Sequence, residues 1–320
     1  MEIALMILGG LALFLYAVTN LSDTLKEFLG DKAKAVLQRF TGNIFMSLLT
    51  GTIITIILDS SSAVIIMTIV FVNAGALSFK NAMGIVMAAN VGTTFSSQLI
   101  ALDIGKYSPV VMVAGIVLVF IGKSDKMKAG GKALTYFGIL FFGLYTMEHA
   151  VEPLRDNNFF HSFMAKLNAP LKGAGAGALV TLIIQSSSAT MGIVITLAKK
   201  QLIGFPAAIA VMLGAELGTC SDTLLATIRS NRQAVKTGLF HLFFNVVSIT
   251  IGLLLFPYFI AFIERISGGA RLEQKIANAH MIFNIGGVIL FLPFIKYIEK
   301  GLNKLVPEKV VVPPVVPPGP

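Results

Sequence analysis

The sequence predicts an all-α integral membrane protein made of two inverted-topology repeats, each carrying a re-entrant helical hairpin. Three observations predict this. The 320 residues are 55% hydrophobic and only 13% charged, with a mean hydropathy of +0.83, whereas soluble domains carry roughly 25% charged residues. Apolar runs of membrane-crossing length recur along the chain. A polar element set between apolar arms, Asp59-Ser60-Ser61-Ser62-Ala63, returns as Gln185-Ser186-Ser187-Ser188-Ala189.

The first crossing is expected at 3–21. It lacks a Lys/Arg-bearing leader region and a small-residue cleavage site, so it reads as a span and not as a signal peptide. The stretch 43–79 is broken by the first serine triplet. Its leading arm, Asn43 to Leu58, would be about 24 Å long as a helix, short of the roughly 30 Å hydrocarbon core. Two short arms meeting at a polar break suggest a hairpin that enters and leaves on one side, with its non-helical backbone inside protein or beside a water-filled cavity. Crossings at 83–102 and 108–122 complete a first repeat, 1–128. The second repeat, 129–262, has a crossing at 133–152, a hairpin at about 174–203 whose first arm is shortened by its Gly-rich start, and crossings at 206–226 and 238–262. An additional span, 278–298, sits in a segment 263–306 outside the duplication, and the Pro-rich tail 307–320 is expected to be extended.

The duplication is visible in three aligned pairs. "LGGLALFLYAVTNL" lies over "FGILFFGLYTMEHA", "GTIITIILDSSSAV" over "GALVTLIIQSSSAT", and "AANVGTT" over "GAELGTC", at offsets of 129, 126 and 126. Matches in one order at nearly one offset mark an internal repeat. A hairpin crosses an even number of times, so each half crosses three times and the second half enters inverted, a recurring build for secondary transporters. Most of the 25 Lys and Arg residues fall on the face shared by 22–42, 77–82, 123–132, 227–237 and the tail. That face is therefore expected to be cytoplasmic, with the N-terminus outside and the C-terminus inside. The same bias accounts for the net charge of +9 without nucleic acid. One cysteine, Cys220, excludes an internal disulfide framework and a Cys-based zinc cluster.

A helix that begins at membrane depth leaves its first N–H groups unpaired and carries a partial positive charge there. Serines at such a break can cap the helix and add hydroxyl donors, giving an anion site without arginine. Hydroxyl and carbonyl oxygens at the same breaks suit a hard cation. No Lys or Arg falls inside an expected span, whereas Asp59, Glu148, His149, Glu216, His241 and His280 do. A bound anion would need its charge offset by co-bound cations, which Asp59 and Glu216 would help to hold.

Blander readings compete. Serines in membrane helices often pack small interfaces, but two matched triplets beside Asp and Gln are hard to explain that way. Asn90-Val-Gly-Thr-Thr and Glu216-Leu-Gly-Thr-Cys are also explained by close packing at Gly92 and Gly218, although a buried carboxylate is costly without a role. His241-x-x-x-Asn245 and His280-x-x-x-Asn284 each present one helix face and read as interhelix hydrogen bonds. Ser96, Ser97 and Gln98 extend the first polar face, and Cys220 reads as packing. A serine hydrolase would need a base beside the triplets, and neither a nucleophile elbow nor a triad motif accompanies them. A purely structural scaffold would not need the buried carboxylates.

Taken together, "QSSSAT", "DSSSAV", the paired "NVGTT" and "ELGTC", and "HLFFN" and "HMIFN" resemble the sodium-phosphate cotransporter family, in its bacterial branch related to the animal type II transporters. The resemblance covers about residues 4–298. It implies a non-enzymatic symporter of inorganic phosphate and sodium in the plasma (inner) membrane, working by alternating access, with sodium as coupling ion and no other cofactor. The alternative is a proton- or sodium-coupled carrier of another small anion, such as a dicarboxylate. The implied partners are phosphate, sodium and the lipid bilayer, with the homodimer common among inverted-repeat carriers. By this resemblance Ser60, Ser61, Ser62, Ser186, Ser187, Ser188 and Gln185 contact phosphate. Asp59, Asn90, Thr93, Thr94, Gln185, Glu216 and Thr219 contribute to sodium sites. The family usually has Gln where this chain has Asp59, and Glu216 stands where the first-half motif has Asn. Both departures add a carboxylate and bear on cation coupling.

Overall fold

The computed structural model describes residues 2–102 and 104–307; the Pro-rich tail expected at 307–320 lies, but for its first residue, outside them. Their regular structure is wholly helical. The first half contains α1 (Glu2–Arg39), α2 (Ile44–Leu58), α3 (Ser61–Asn73), α4 (Phe79–Ala101) and α5 (Ser108–Ile121). The second contains α6 (Asp125–Ala150), α7 (Asn158–Lys166), α8 (Pro170–Ile184), α9 (Ser187–Lys199), α10 (Phe205–Gly218), α11 (Cys220–Ala226) and α12 (Arg232–Leu254). The helices α13 (Phe256–Ile266), α14 (Leu272–Phe291) and α15 (Ile295–Leu305) follow.

Four helical stretches are long and apolar enough to cross a membrane, or up to six if each of two bent helix pairs forms one span. The outer surface of the bundle is apolar, with Phe120 84%, Leu254 75% and Ile183 73% exposed. Large side chains of this kind are stable on the outside only against lipid or another apolar surface. The chain is a multi-pass membrane protein.

Several elements differ from the sequence expectation. The helix α1 does not end at residue 21. It runs 38 residues to Arg39 because the charged stretch is itself a good helix, with Lys26–Asp23 and Lys34–Asp31 paired at three-residue spacing. The arm before the second triplet is not shortened by its glycines. It begins at Pro170 in the first turn and has 15 residues, as many as α2. Proline is tolerated there because the N–H it lacks would be unpaired anyway. The expected crossing 238–262 is interrupted at Leu255, where α13 starts with Pro257 in its first turn. The crossing 206–226 is divided at Thr219 into α10 and α11.

The two halves repeat the same packing. The helices α2 and α3 lie on α4, α8 and α9 lie on α10, and α1 packs along α6 between them. A Cβ on Gly92 of α4 would stand 2.5 Å from Thr55 Cβ of α2, and one on Gly218 of α10 would stand 2.5 Å from Thr181 Cβ of α8. Real Cβ atoms do not approach so closely, so glycine sets the helix separation in both halves. Gly92 and Gly218 are thus packing positions at equivalent points of the repeat, and Thr55 and Thr181 share the 126-residue offset.

Candidate functional site: two serine-capped helix starts on one pocket

The chain reverses at two joints of the same shape. Asp59 and Gln185 occupy the left-handed region, at φ 49° and 57°, uncommon for residues other than glycine. Ser60 and Ser186 follow in extended conformation, at φ −155° and −150°, and each caps the next helix. The Ser60 hydroxyl accepts from the Ala63 N–H at 3.2 Å, and Ser186 accepts from Ala189 at 3.1 Å. Serine at this position satisfies one orphan donor of the new helix. The amides of the first helical residues, Ser61–Ser62 and Ser187–Ser188, remain without an intrahelical acceptor, as in any first turn.

Both joints open on one pocket of about 340 Å³. Its wall includes Asp59, Ser60, Ser61, Ser62, Gln185, Ser186, Ser187, Ser188 and Thr219. Two helix N-termini therefore meet there with six serine hydroxyls, and the C-terminal ends of α2 and α8 stop at the same place. The positive dipole ends and hydroxyls suit an anion. The helix C-termini and the Asp59 carboxylate suit a cation.

The helix α1 closes the pocket with Thr19, Ser22, Asp23 and Lys26, which the sequence reading missed or placed in a loop. The Ser22 hydroxyl donates to the Leu58 carbonyl at 3.3 Å, tying α1 to the end of α2. Lys26 pairs with Asp23 at 3.3 Å. The pocket thus does carry a fixed side-chain cation, Lys26, although no Lys or Arg falls inside an expected span. The formal charge of the lining is still −1, from Asp59, Asp23 and Lys26. The signal available in the sequence was the polar Thr19–Ser22–Asp23–Lys26 series, three and four residues apart on one helix face.

Asn90, Thr93, Thr94 and Glu216 are not on this wall. They lie behind it among buried helices. Thr93 and Thr94 donate to backbone carbonyls of their own helix, Ala89 at 2.9 Å and Val91 at 2.7 Å. Thr219 lines the pocket while donating to the Glu216 carbonyl at 2.9 Å. Glu216 Oε1 meets His280 Nε2 at 2.6 Å and accepts from Asn284 at 3.3 Å. His280 Nδ1 meets the Ser97 hydroxyl at 2.8 Å, and His241 Nδ1 meets Thr223 at 2.8 Å. Asn245 accepts from Asn90 at 2.6 Å and donates to the Glu216 carbonyl at 2.8 Å. Each His-x-x-x-Asn face therefore bridges the two halves: α14 holds α4 and α10, and α12 holds α4, α10 and α11. Ser97 and Thr223 share the 126-residue offset, as do Asn90 and Glu216, so α12 and α14 act as counterparts. Cys220 is buried in this network, its sulfur accepting from Asn245 at 3.2 Å.

The repeat also exposes an exchange of charge. Ser96 donates to the Asp59 carboxylate in the first half. At the equivalent positions the second half has Asp222 on the helix and Gln185 at the joint, and Asp222 faces Ser62 beside the first joint. Each half thus supplies one carboxylate near the joints, on opposite partners. Gln98 accepts from Gln274 at 2.7 Å and donates to Asn278 at 3.3 Å, joining α4 to α14.

Comparison with known proteins identifies the family. The sequence matches the family described as Na+/Pi-cotransporter twice, over residues 13–149 and 145–297. The chain belongs to the Na+/Pi-cotransporter family. The uncharacterized protein YqeW of Bacillus subtilis is 30% identical over 92% of this chain and 96% of its own length. The putative inorganic phosphate export protein YjbB of Escherichia coli K12 is 25% identical over 90% of this chain, which spans 53% of that protein. The human sodium-dependent phosphate transport protein 2B is 33% identical over 133 residues, 38% of this chain and 19% of its own length. No solved structure matches. The second family match ends at residue 297 and so takes in α14, the helix that sequence matching alone left outside the duplication.

Proposed function

We propose that this protein is a sodium-coupled phosphate transporter working by alternating access, with the serine pocket as its substrate site. The observation that carries the reading is that both serine triplets, 126 residues apart, face one pocket with their helix N-termini. Phosphate would bind Ser60, Ser61, Ser62, Ser186, Ser187, Ser188 and Gln185. Its charge would add to a lining already at −1, so binding requires co-bound cations. Asp59, Gln185 and Thr219 would hold sodium at the pocket. Asn90, Thr93, Thr94 and Glu216 would act from behind it, through the helices that carry the joints. The two helix pairs would be re-entrant hairpins inserted from opposite membrane faces, because an odd number of crossings per repeat inverts the second half. The plasma membrane, an external N-terminus and a homodimer belong to the same reading.

Labelled phosphate uptake into proteoliposomes tests it. Uptake should require a sodium gradient and fall strongly in Ser186→Ala at equal protein incorporation. Uptake indifferent to sodium, or driven by a pH gradient alone, would overturn the coupling. Competition by dicarboxylates as effective as by phosphate would overturn the substrate. The name of the Escherichia coli relative favours a second reading of direction, in which the same site exports phosphate. Efflux from phosphate-loaded vesicles under the opposite sodium gradient separates the two.

A further inference from the structure

A second cavity of about 340 Å³ lies beside the serine pocket, walled by α1, α4 and α6. It falls at the lower end of the roughly 300–1,000 Å³ of small-molecule pockets. Its wall is apolar, with Phe14, Phe95, Phe137 and Phe141 among the lining residues, and is polar only at Asp59, Ser96 and Ser188. Asp59 is the one titratable side chain on the lining. Val18, Asp59 and Ser188 line both cavities, so an occupant's polar end would sit at the mouth of the serine pocket.

We propose that this cavity binds a lipophilic amine, with its ammonium against Asp59 and its apolar body between α1 and α6. The chemistry of the wall selects that class. An apolar chain with no charge would shield the Asp59 carboxylate from water without compensating it, which is costly. A fatty acid would bring two like charges together. An ammonium supplies the missing counter-charge, and charge-assisted hydrogen bonds to a carboxylate are the stronger kind. An amine bound this way occupies the same carboxylate that faces the serine pocket and stands in for a cation there.

The test reads binding alone, so its outcome is separate from that of the transport reading. The chain has no tryptophan, so Phe137→Trp in the full-length protein gives a single tryptophan on the cavity wall, excited selectively over the tyrosines. The protein is reconstituted in phosphatidylcholine vesicles and titrated with ω-brominated decylamine, decanol or decanoate. The amine should quench saturably and roughly tenfold more tightly than the alcohol, the effect of about 1.4 kcal/mol of pairing, with decanoate weakest. Adding Asp59→Asn should erase the preference for the amine. Gly130 lines the cavity, and a Cβ there would meet nothing within 4 Å, so Gly130→Leu has room to narrow the cavity and should weaken quenching by amine and alcohol alike, a readout that does not depend on the Asp59 variant folding. Equal quenching by amine and alcohol, a preference that survives Asp59→Asn, an affinity unchanged in Gly130→Leu, or no saturable quenching would each overturn the proposal.

Discussion

Asp59→Gln changes one charge at the joint of the first helix pair and should leave the fold intact. Gln185 already occupies the equivalent joint of the second pair in the same left-handed conformation. The effect on phosphate follows from the pocket's size. A sphere of the 340 Å³ found there has a radius of about 4 Å, and at that distance like charges repel by about 4 kcal/mol in an effective dielectric of 20. Taken whole, that would be a factor of about a thousand in affinity. The pocket is open and Asp59 is only half-buried, so solvent and salt reduce it to the order of ten- to a hundredfold. Asp59→Gln should therefore bind phosphate that much more tightly at low sodium, while the sodium dependence of transport becomes shallower. Labelled phosphate uptake in proteoliposomes, measured over a matrix of sodium and phosphate concentrations, checks both. A variant whose phosphate half-saturation at low sodium and whose sodium Hill slope both match the parent would refute the assignment of Asp59 to cation coupling.

Three further outcomes test the framework around the pocket. Lys26→Met removes the one side-chain cation on the lining and should raise the half-saturating phosphate concentration by about tenfold, roughly 1.4 kcal/mol, with little change in thermal stability. Glu216→Ala should cost about 2 kcal/mol in detergent thermal melts by leaving a buried ring nitrogen of His280 without its partner. Glu216→Gln keeps an acceptor for His280 and should spare the melt, while its sodium half-saturation should rise by about tenfold, as for a residue that supports cation ligands from behind. Buried Thr55 has a hydroxyl without a partner, while its counterpart Thr181 meets Thr190 at 2.7 Å. Thr55→Val should therefore raise the melting midpoint, and Thr181→Val should lower it by the equivalent of about 1 kcal/mol.

The Thr55 case shows where the two halves diverge. The residue equivalent to Thr190 is Val64, so one half keeps a hydroxyl pair and the other keeps a single hydroxyl, that of Thr55. Such a difference is legible in the sequence once the register is known, but its consequence depends on the close approach of α2 to α4. The continuation of α1 was less legible. Its charged second half has the composition of a loop, and only its packing shows that Asp23 and Lys26 belong to a pocket wall.

The sequence by itself determined the membrane class, the duplication and the two joints. Hydropathy follows from composition, a repeat from its offset, and an N-cap from a serine placed before an apolar run. The tertiary structure decided which polar groups meet. It placed the two serine triplets, far apart along the chain, on one pocket and brought α1 across as its third wall. It turned Asn90 and Glu216 away into a buried network with His280, Asn284 and Asn245, and revealed α14 as the counterpart of α12. The physical reason is that local sequence fixes where a helix starts and how it is capped. Which helix ends converge depends on the packing of small residues such as Gly92 and Gly218, and that packing exists only once the halves are assembled.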